Sequence, residues 1–456
     1  MNNLAKYMTK PIIVNKFGGG ILKKELIPVI AKRLNEQLSE GYFPIVVVSA
    51  MPGITDSLVS ILIKLKEKPL KKNEVTLLVE NYIIELKKIH SKIITDMDFN
   101  KEWREEIHIE LEKLFFELEK DLNAISRTVL LEDKIVSYGE KLSATILSFY
   151  FNICNINTKR LLAEEIPIIT DNNFKNADIE YKLSEKNLRE KLAKIKEVPI
   201  IAGFTGITKS GETTTLGRGG TDTTACFVGA ALKAYKIILW KDVGGVLSAD
   251  PKIVPHARVM PTISYQEAEE SGKIIHEKAI DFVKIHNTQI DITSLSNPKF
   301  FTQIKELKST KKGTKLISSK KNLTLFIITD EKIKTNEQLN IVTSIFTKYK
   351  TEMILVSNTK HSLQVVADNS NGMLNHVFKE IESKVLHIKA IPVNMIFLVG
   401  NFDVYDVNKF NDLLIKMKTG LQISAFLYEN CTRMEAVVET NKIDEIIRML
   451  YKKFIK

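Results

Sequence analysis

Several residue types that would define a function are scarce here. Three cysteines in 456 residues, Cys154, Cys226 and Cys431, stand far apart without metal-ligand spacing. This excludes a disulfide-built scaffold and leaves reduced, core or near-core thiols as the expectation. The eight histidines form no HxxxH or HExxH pair, so zinc chemistry is not expected and no protein metal site is assigned. No apolar run reaches bilayer length. The N-terminus, MNNLAKYMTKPIIVNKFGGG, lacks the regions of a secretory leader, so a cytoplasmic protein is expected. The net charge of +11 is almost all lysine, spread along the chain, with only nine arginines among 66 basic residues. No zinc finger, basic zipper or aromatic-bearing RNA motif accompanies it, so nucleic acid is not expected as a partner, although the excess suits a small polyanion. A Walker A loop and a nucleophilic Ser/His/Asp or Cys/His set are also missing.

What is present centres on Gly211 to Ala225, GETTTLGRGGTDTTA. The apolar, β-branched VPIIAGFTG before it reads as a buried strand, and TACFVGAALKA after it as a packed helix. Strand, glycine loop and helix start together offer free backbone N–H groups and the positive end of a helix dipole to an anion. Gly217, Gly219 and Gly220 permit close approach and positive φ. Arg218, a scarce arginine held between glycines, carries a planar fork suited to carboxylate or phosphate. Asp222 falls at the helix start, where it caps the helix or orients lysines.

The same order appears earlier in PIIVNKFGGG, where Lys16 ends a strand and precedes the glycines, with a helix interrupted early by Pro28. GYFPIVVVSAMPGITDSL is a further unit, its IVVV run suiting a parallel strand covered on both faces, with Ser49 and Thr55 at or beyond its C-terminal end. DKIVSYGEKLSATILSFYFN reads as a short strand and turn followed by a helix, with Glu140 at the helix start after Gly139. After strand IILW come Lys241 and Asp242, then the Pro-containing SADPKIVPHA with Lys252. Ser264 is the expected N-cap of SYQEAEES, with Glu267 at capping-box spacing. Lys273 follows Gly272 as a second well-placed cation.

Residues 59–131 are rich in lysine and glutamate, with Ile and Leu at helical spacing, and read as a helical insertion with a solvated face. Trp103 is expected to pack. After Pro298 the runs GTKLI, LTLFIIT, EMILVSN, LQVVAD, AIPVNMIFLVG, QISAFLY and MEAVVET alternate with helical segments. They read as a βαββαβ module present twice. The boundary falls within the lysine-rich stretch Lys305 to Lys321.

KFGG, VVVSAMPGITDSL, SYGEKLS, GFTGITKSGETTTLGRGGTDTTA, LWKDVGGVLSADPKIVP, ISYQEAEE and GKIIHEKAI occur in the order and rough spacing of the aspartate kinases. The chain resembles that family over nearly its whole length, most specifically at LGRGGTD after GFTG. The resemblance implies an α/β chain. An amino-acid kinase fold, three-layered (αβα) with a mostly parallel open sheet, would span 1–304, with the 59–131 insertion inside it. Two ferredoxin-like ACT modules would span 305–456, and no fused homoserine dehydrogenase is expected. The implied reaction gives 4-phospho-L-aspartate and ADP from L-aspartate and ATP, opening the lysine, threonine and methionine route. By resemblance, Lys16, Phe17, Gly18, Gly19, Lys241, Asp242, Lys252 and Lys273 would lie along ATP, with Mg²⁺ riding on its phosphates. Thr55, Glu140, Arg218, Gly219, Gly220 and Thr221 would hold aspartate. Lys16, Asp222 and Lys273 would be catalytic. A homodimer through the ACT modules and an amino-acid effector are also implied. KFGGG departs from the family's KFGGTS at Gly20, and Leu247 stands where tyrosine is usual. The alternatives are a kinase of another amino-acid carboxylate and an ACT-bearing sensor with weak catalysis.

Overall fold

The computed structural model describes residues 10–66, 71–97, 99–125, 130–271, 274–307, 312–329, 335–349, 351–358, 362–369, 372–416, 423–424, 431–439 and 442–455. The chain forms two compact units, one of 1–246 with 259–307 and one of 247–258 with 308–456. Among the described residues, no helix is long and apolar enough to cross a membrane.

In the first unit, β1 (Ile12–Phe17) and β2 (Phe43–Val48) are buried along nearly their whole length, as their unbroken apolar runs require. Between them lies α1 (Ile27–Ser39), where Pro28 falls in the first turn rather than interrupting the helix. Proline is tolerated there because the first N–H groups have no intrahelical acceptor. Helices α2 (Ile54–Lys66), α3 (Lys72–Asp96) and α4 (Lys101–Ala124) follow. Leu86, Ile107, Leu111 and Leu118 join the same core as Phe17 and Val48, so the lysine-rich segment buries one face of each long helix. Trp103 packs edge-on to Phe149 at 5.8 Å.

The expected strand and turn before Glu140 are absent. Residues Leu131–Ile153 form one helix, α5, and Glu140 lies in its middle. Ile135, Tyr138, Leu142 and Ile146 are fully buried. Gly139 does not break the helix. It lets the helix approach the segment between β2 and α2 so closely that a Cβ there would lie 2.8 Å from the Ala50 Cβ.

Next come β3 (Thr158–Leu161), α6 (Tyr181–Leu192) and β4 (Val198–Ala202). A hairpin of β5 (Thr205–Ile207) and β6 (Thr213–Thr215) takes up the front of the stretch read as loop. Its threonines are β-branched, and Gly211 turns at φ 95°. Then follow α7 (Gly220–Ala231), β7 (Lys236–Lys241), β8 (Thr262–Ser264), α8 (Tyr265–Glu270), α9 (Glu277–His286), β9 (Ile290–Ser294) and β10 (Phe301–Lys305). Ser264 caps α8 with the expected Glu267 box. The eight-stranded sheet runs β3-β4-β2-β1-β7-β9-β10-β8, parallel from β3 through β9. The carboxyl ends of β1, β2, β4 and β7 therefore share one edge.

The second unit contains β11 (Gly313–Thr329), α10 (Thr335–Lys348), β12 (Met353–Asn358), β13 (Ser362–Asp368), α11 (Leu374–Glu382) and β14 (His387–Phe402). They are followed by α12 (Val404–Lys416), β15 (Ile423–Ser424), β16 (Cys431–Glu439) and α13 (Ile443–Phe454). GTKLI and LTLFIIT are one 17-residue strand instead of two, because the polar Lys320–Asn322 step is absorbed as a register shift with Asn322 at φ 63°. Most of QISAFLY lies outside the described residues.

All strands pair antiparallel in the order β12-β13-β11-β14-β16-β15. Residues 323–393 close one βαββαβ module around Phe326, Phe346, Val365 and Ile381. The other module is split by it: Ile317 of early β11 packs with Leu398, Phe410, Met434 and Leu450. The two modules are thus nested in sequence and share two long strands. Segment 247–258 also belongs here, with Ala249, Ile253 and Val254 in that second core.

Candidate active site

At the carboxyl edge of the parallel sheet lies a cavity of about 570 Å³. β1 delivers Lys16, whose Nζ lies 2.6 Å from Asp222 Oδ1; both residues are buried. β7 delivers Lys241, whose Nζ donates to Asp222 Oδ2 at 3.0 Å. Asp222 is not the helix cap: Gly219 holds that position at φ 74°, and Asp222 sits in the first turn of α7. Burial works against its charged form, but the Lys16 and Lys241 ammoniums outweigh it and hold the carboxyl below its ordinary range. One carboxylate thus fixes two cations at the mouth of a glycine loop.

The loop backbone is set by tight contacts. Gly217 combines φ 74° with an approach at which a Cβ would lie 2.5 Å from Asn176 Oδ1. Arg218 follows, exposed on the cavity wall, with no protein partner for its guanidinium among the described residues. Gly219, Gly220 and Thr221 complete that wall, and the Thr221 hydroxyl accepts from Ser49 Oγ at 2.8 Å.

Opposite chemistry comes from α5. Glu140 Oε1 accepts the Ala50 N–H at 3.1 Å, while the buried Oε2 has no hydrogen-bond partner among the described residues. Burial pushes its carboxyl up to about 8, against the lowering pull of backbone N–H groups and Lys16. Thr55 lines the same cavity from the first turn of α2.

Of the residues singled out from sequence, Lys16, Gly19, Thr55, Glu140, Arg218, Gly219, Gly220, Thr221 and Asp222 line this one cavity. Gly18 abuts the Lys16 ammonium, where a Cβ would lie 3.1 Å from Nζ. The Phe17 ring is buried and stacks on Trp240, so only its backbone faces the loop chemistry. Lys241 reaches the site through Asp222, and Asp242 is exposed just past β7. Lys252 is exposed on segment 247–258 of the other unit, and Lys273 lies outside the described residues.

Several contributors escaped sequence reading. Met51, Pro52, Gly53, Asp56 and Phe204 also line the cavity. The Ala50 N–H that orients Glu140 is a backbone group and leaves no residue signature. Asp133, in the first turn of α5, accepts two backbone N–H groups on one oxygen, Lys175 and Thr215, each at 2.7 Å. It ties the helix of Glu140 to the strand entering the Arg218 loop. From sequence, Asp133 falls at the start of an expected short strand rather than in a helix, which hid it.

A model described as "Amino acid kinase family" matches residues 11–294. The chain is 28% identical to an aspartokinase of Rickettsia prowazekii over 92% of this chain and 84% of that protein. It is 30% identical to an aspartokinase of Rickettsia felis, over 63% of this chain and 59% of that one. Escherichia coli aspartokinase III, solved with aspartate and ADP, superposes with a TM-score of 0.78 at 20% identity, covering 98% of this chain and all of that one. The same protein with lysine and aspartate gives 0.77 at 20% identity, with 98% and 100% coverage.

Proposed function

Because the chain belongs to the amino acid kinase family, we propose that it phosphorylates the side-chain carboxylate of L-aspartate with ATP, giving 4-phospho-L-aspartate and ADP. One observation carries this reading. A single cavity holds an arginine fork and a buried Glu140 oxygen, neither with a protein partner among the described residues. Those two groups match the α-carboxylate and α-ammonium of an amino acid, whose reacting carboxylate would face the cations. The relatives named aspartokinase support the choice of acceptor.

The chemistry asks little covalent work of the protein. A carboxylate is ionised and nucleophilic at neutral pH, so no general base is needed. The obstacle is one anion attacking a polyanion, and positioned cations and loop amides lower it. Lys16, with the Gly18 and Gly19 amides, stabilises the transferring phosphoryl group. Asp222 holds Lys16 and Lys241 at their stations. Thr55, Gly219, Gly220 and Thr221 flank aspartate. Lys241, Asp242, Lys252 and Lys273 are assigned to ATP, Lys273 acting also in catalysis. Both Asp222 oxygens already face ammoniums, so Mg²⁺ fits this site as a rider on the nucleotide phosphates, where it neutralises charge.

The catalytic domain is assigned to 1–304, with the 59–131 helices as an insertion and segment 247–258 lent to the core of the other unit, and the regulatory pair to 305–456. The nested modules would bind an amino-acid effector and join two chains, in the cytoplasm. The test is ATP-dependent hydroxamate formation from aspartate and hydroxylamine, with glutamate in parallel. Turnover with aspartate that falls by orders of magnitude in Arg218→Ala supports the assignment. Preference for another carboxylate, or calorimetric amino-acid binding without turnover, overturns it.

A further inference from the structure

A second cavity, of about 640 Å³, lies wholly within the C-terminal unit, between segment 247–258 and α13. Its floor is apolar: Ile253, Val254, Tyr451 and Ile455 are buried beneath it. Its rim carries His256 and the cations Arg258, Arg448 and Lys452, and among the described residues no carboxylate lines it. Arginine is scarce in this lysine-rich chain, nine of 66 basic residues. Two of the nine meet at this one place.

The pocket is built rather than incidental. Arg448 donates Nε–H to the Ile253 carbonyl at 3.2 Å, which sets the guanidinium at the edge of the pocket. Its other N–H groups have no protein acceptor among the described residues. Tyr451 is fixed at one end by its hydroxyl, 3.0 Å from Ser248 Oγ, and its ring meets His256 edge-on at 5.4 Å. Ser248 is held in turn, its N–H donating to Arg258 O at 2.9 Å and its carbonyl accepting from Ile317 N at 2.8 Å. Both walls are therefore tied to the β11 sheet, and the polar and apolar surfaces keep their places.

We propose that this pocket is an effector site for a small organic anion, one phosphate or carboxylate carrying a flat apolar body. The body would lie on Ile253 and Tyr451 while the anion meets the guanidinium and ammonium groups above. Such a ligand clamps segment 247–258 to α13. That segment is continuous in the chain with Lys241 and Asp242 on one side and β8 on the other, so its occupancy is a covalent route from the regulatory unit to the strand ends of the catalytic one.

The test uses the full chain and 1-naphthyl phosphate, followed by its own fluorescence anisotropy. ATP is present in excess to fill the catalytic cavity. Saturable one-to-one binding is expected, at least fivefold weaker in Arg448→Gln and in Lys452→Gln, with circular dichroism unchanged. Inorganic phosphate, which lacks the body, and 2-naphthalenemethanol, which lacks the charge, should compete at least tenfold less well. Equal affinity in the variants, loss of all binding under ATP, or equal competition by inorganic phosphate would each overturn the proposal. The binding readout does not depend on which acceptor the kinase uses, so it can fail or succeed separately from the assignment of aspartate.

Discussion

Replacing Glu140 by glutamine should remove a pH dependence expected of the wild-type protein. The carboxyl is buried in mid-helix, with one oxygen on the Ala50 N–H and the other unpaired, and its pKa is pushed up to about 8. If the substrate ammonium pairs only with the ionised form, about one molecule in eleven is competent at pH 7 and roughly three quarters at pH 8.5. The KM for aspartate should then fall about eightfold between those values, about 1 kcal/mol, with little change in the KM for ATP. Glu140→Gln should bind aspartate more weakly and with a flat profile across the same interval. Calorimetry in buffers of different ionisation enthalpy should show aspartate displacing a proton from the wild type near pH 7 and none in the variant. The linkage to stability has the opposite sense. Between 4.5 and about 8 the folded chain holds a proton that the unfolded chain has released, so Glu140 makes stability fall as pH rises through that window. The full effect is at most about 5 kcal/mol, and Glu140→Gln should be spared it in urea unfolding. A wild-type aspartate KM that is constant from pH 6.5 to 8.5 would refute the reasoning.

Asp222→Asn should lower kcat by a hundredfold or more in the hydroxamate assay, since Lys16 and Lys241 lose the carboxylate between them. Removing one partner of so buried a cluster should also cost about 3 kcal/mol or more, read as a lower melting temperature. Asp133→Ala should raise the KM for aspartate several-fold with a small change in kcat, because it frees two backbone N–H groups behind the Arg218 loop. Asp133→Asn, which keeps one acceptor oxygen, should recover most of the loss. Gly20→Ser should lower the KM for ATP, since a Cβ there meets nothing within 4 Å and the position lines the cavity. Unchanged nucleotide kinetics in Gly20→Ser would show that the hydroxyl of the usual family motif does not act from this position.

The sequence was most legible where chemistry is written in side chains at short range. Lys16 before its glycines and Arg218 between its own could be read as anion-facing groups, because strand, loop and helix follow within a few residues. Glu140 was recognised as a candidate but misplaced. Glycine before it suggested a turn, whereas Gly139 serves a contact with Ala50 some ninety positions away. Asp133 and the Ala50 N–H depend on distant backbone, which no local pattern records. The same limit applied to SADPKIVPHA. Its prolines marked a loop, but Ala249, Ile253 and Val254 pack in the C-terminal core. The alternation of strands and helices after Pro298 revealed the module type, and the bulge at Asn322 concealed that one strand serves both modules.

The excursion of residues 247–258 has a practical consequence. The polypeptide passes from one unit to the other three times, after 246, after 258 and after 307, so no single cut separates them. A fragment ending at 307 would retain a short apolar limb whose Ala249, Ile253 and Val254 had lost their burial partners. Such a fragment should be prone to self-association. A separable catalytic fragment would therefore need residues 247–258 replaced by a short polar linker, as well as a cut after 307.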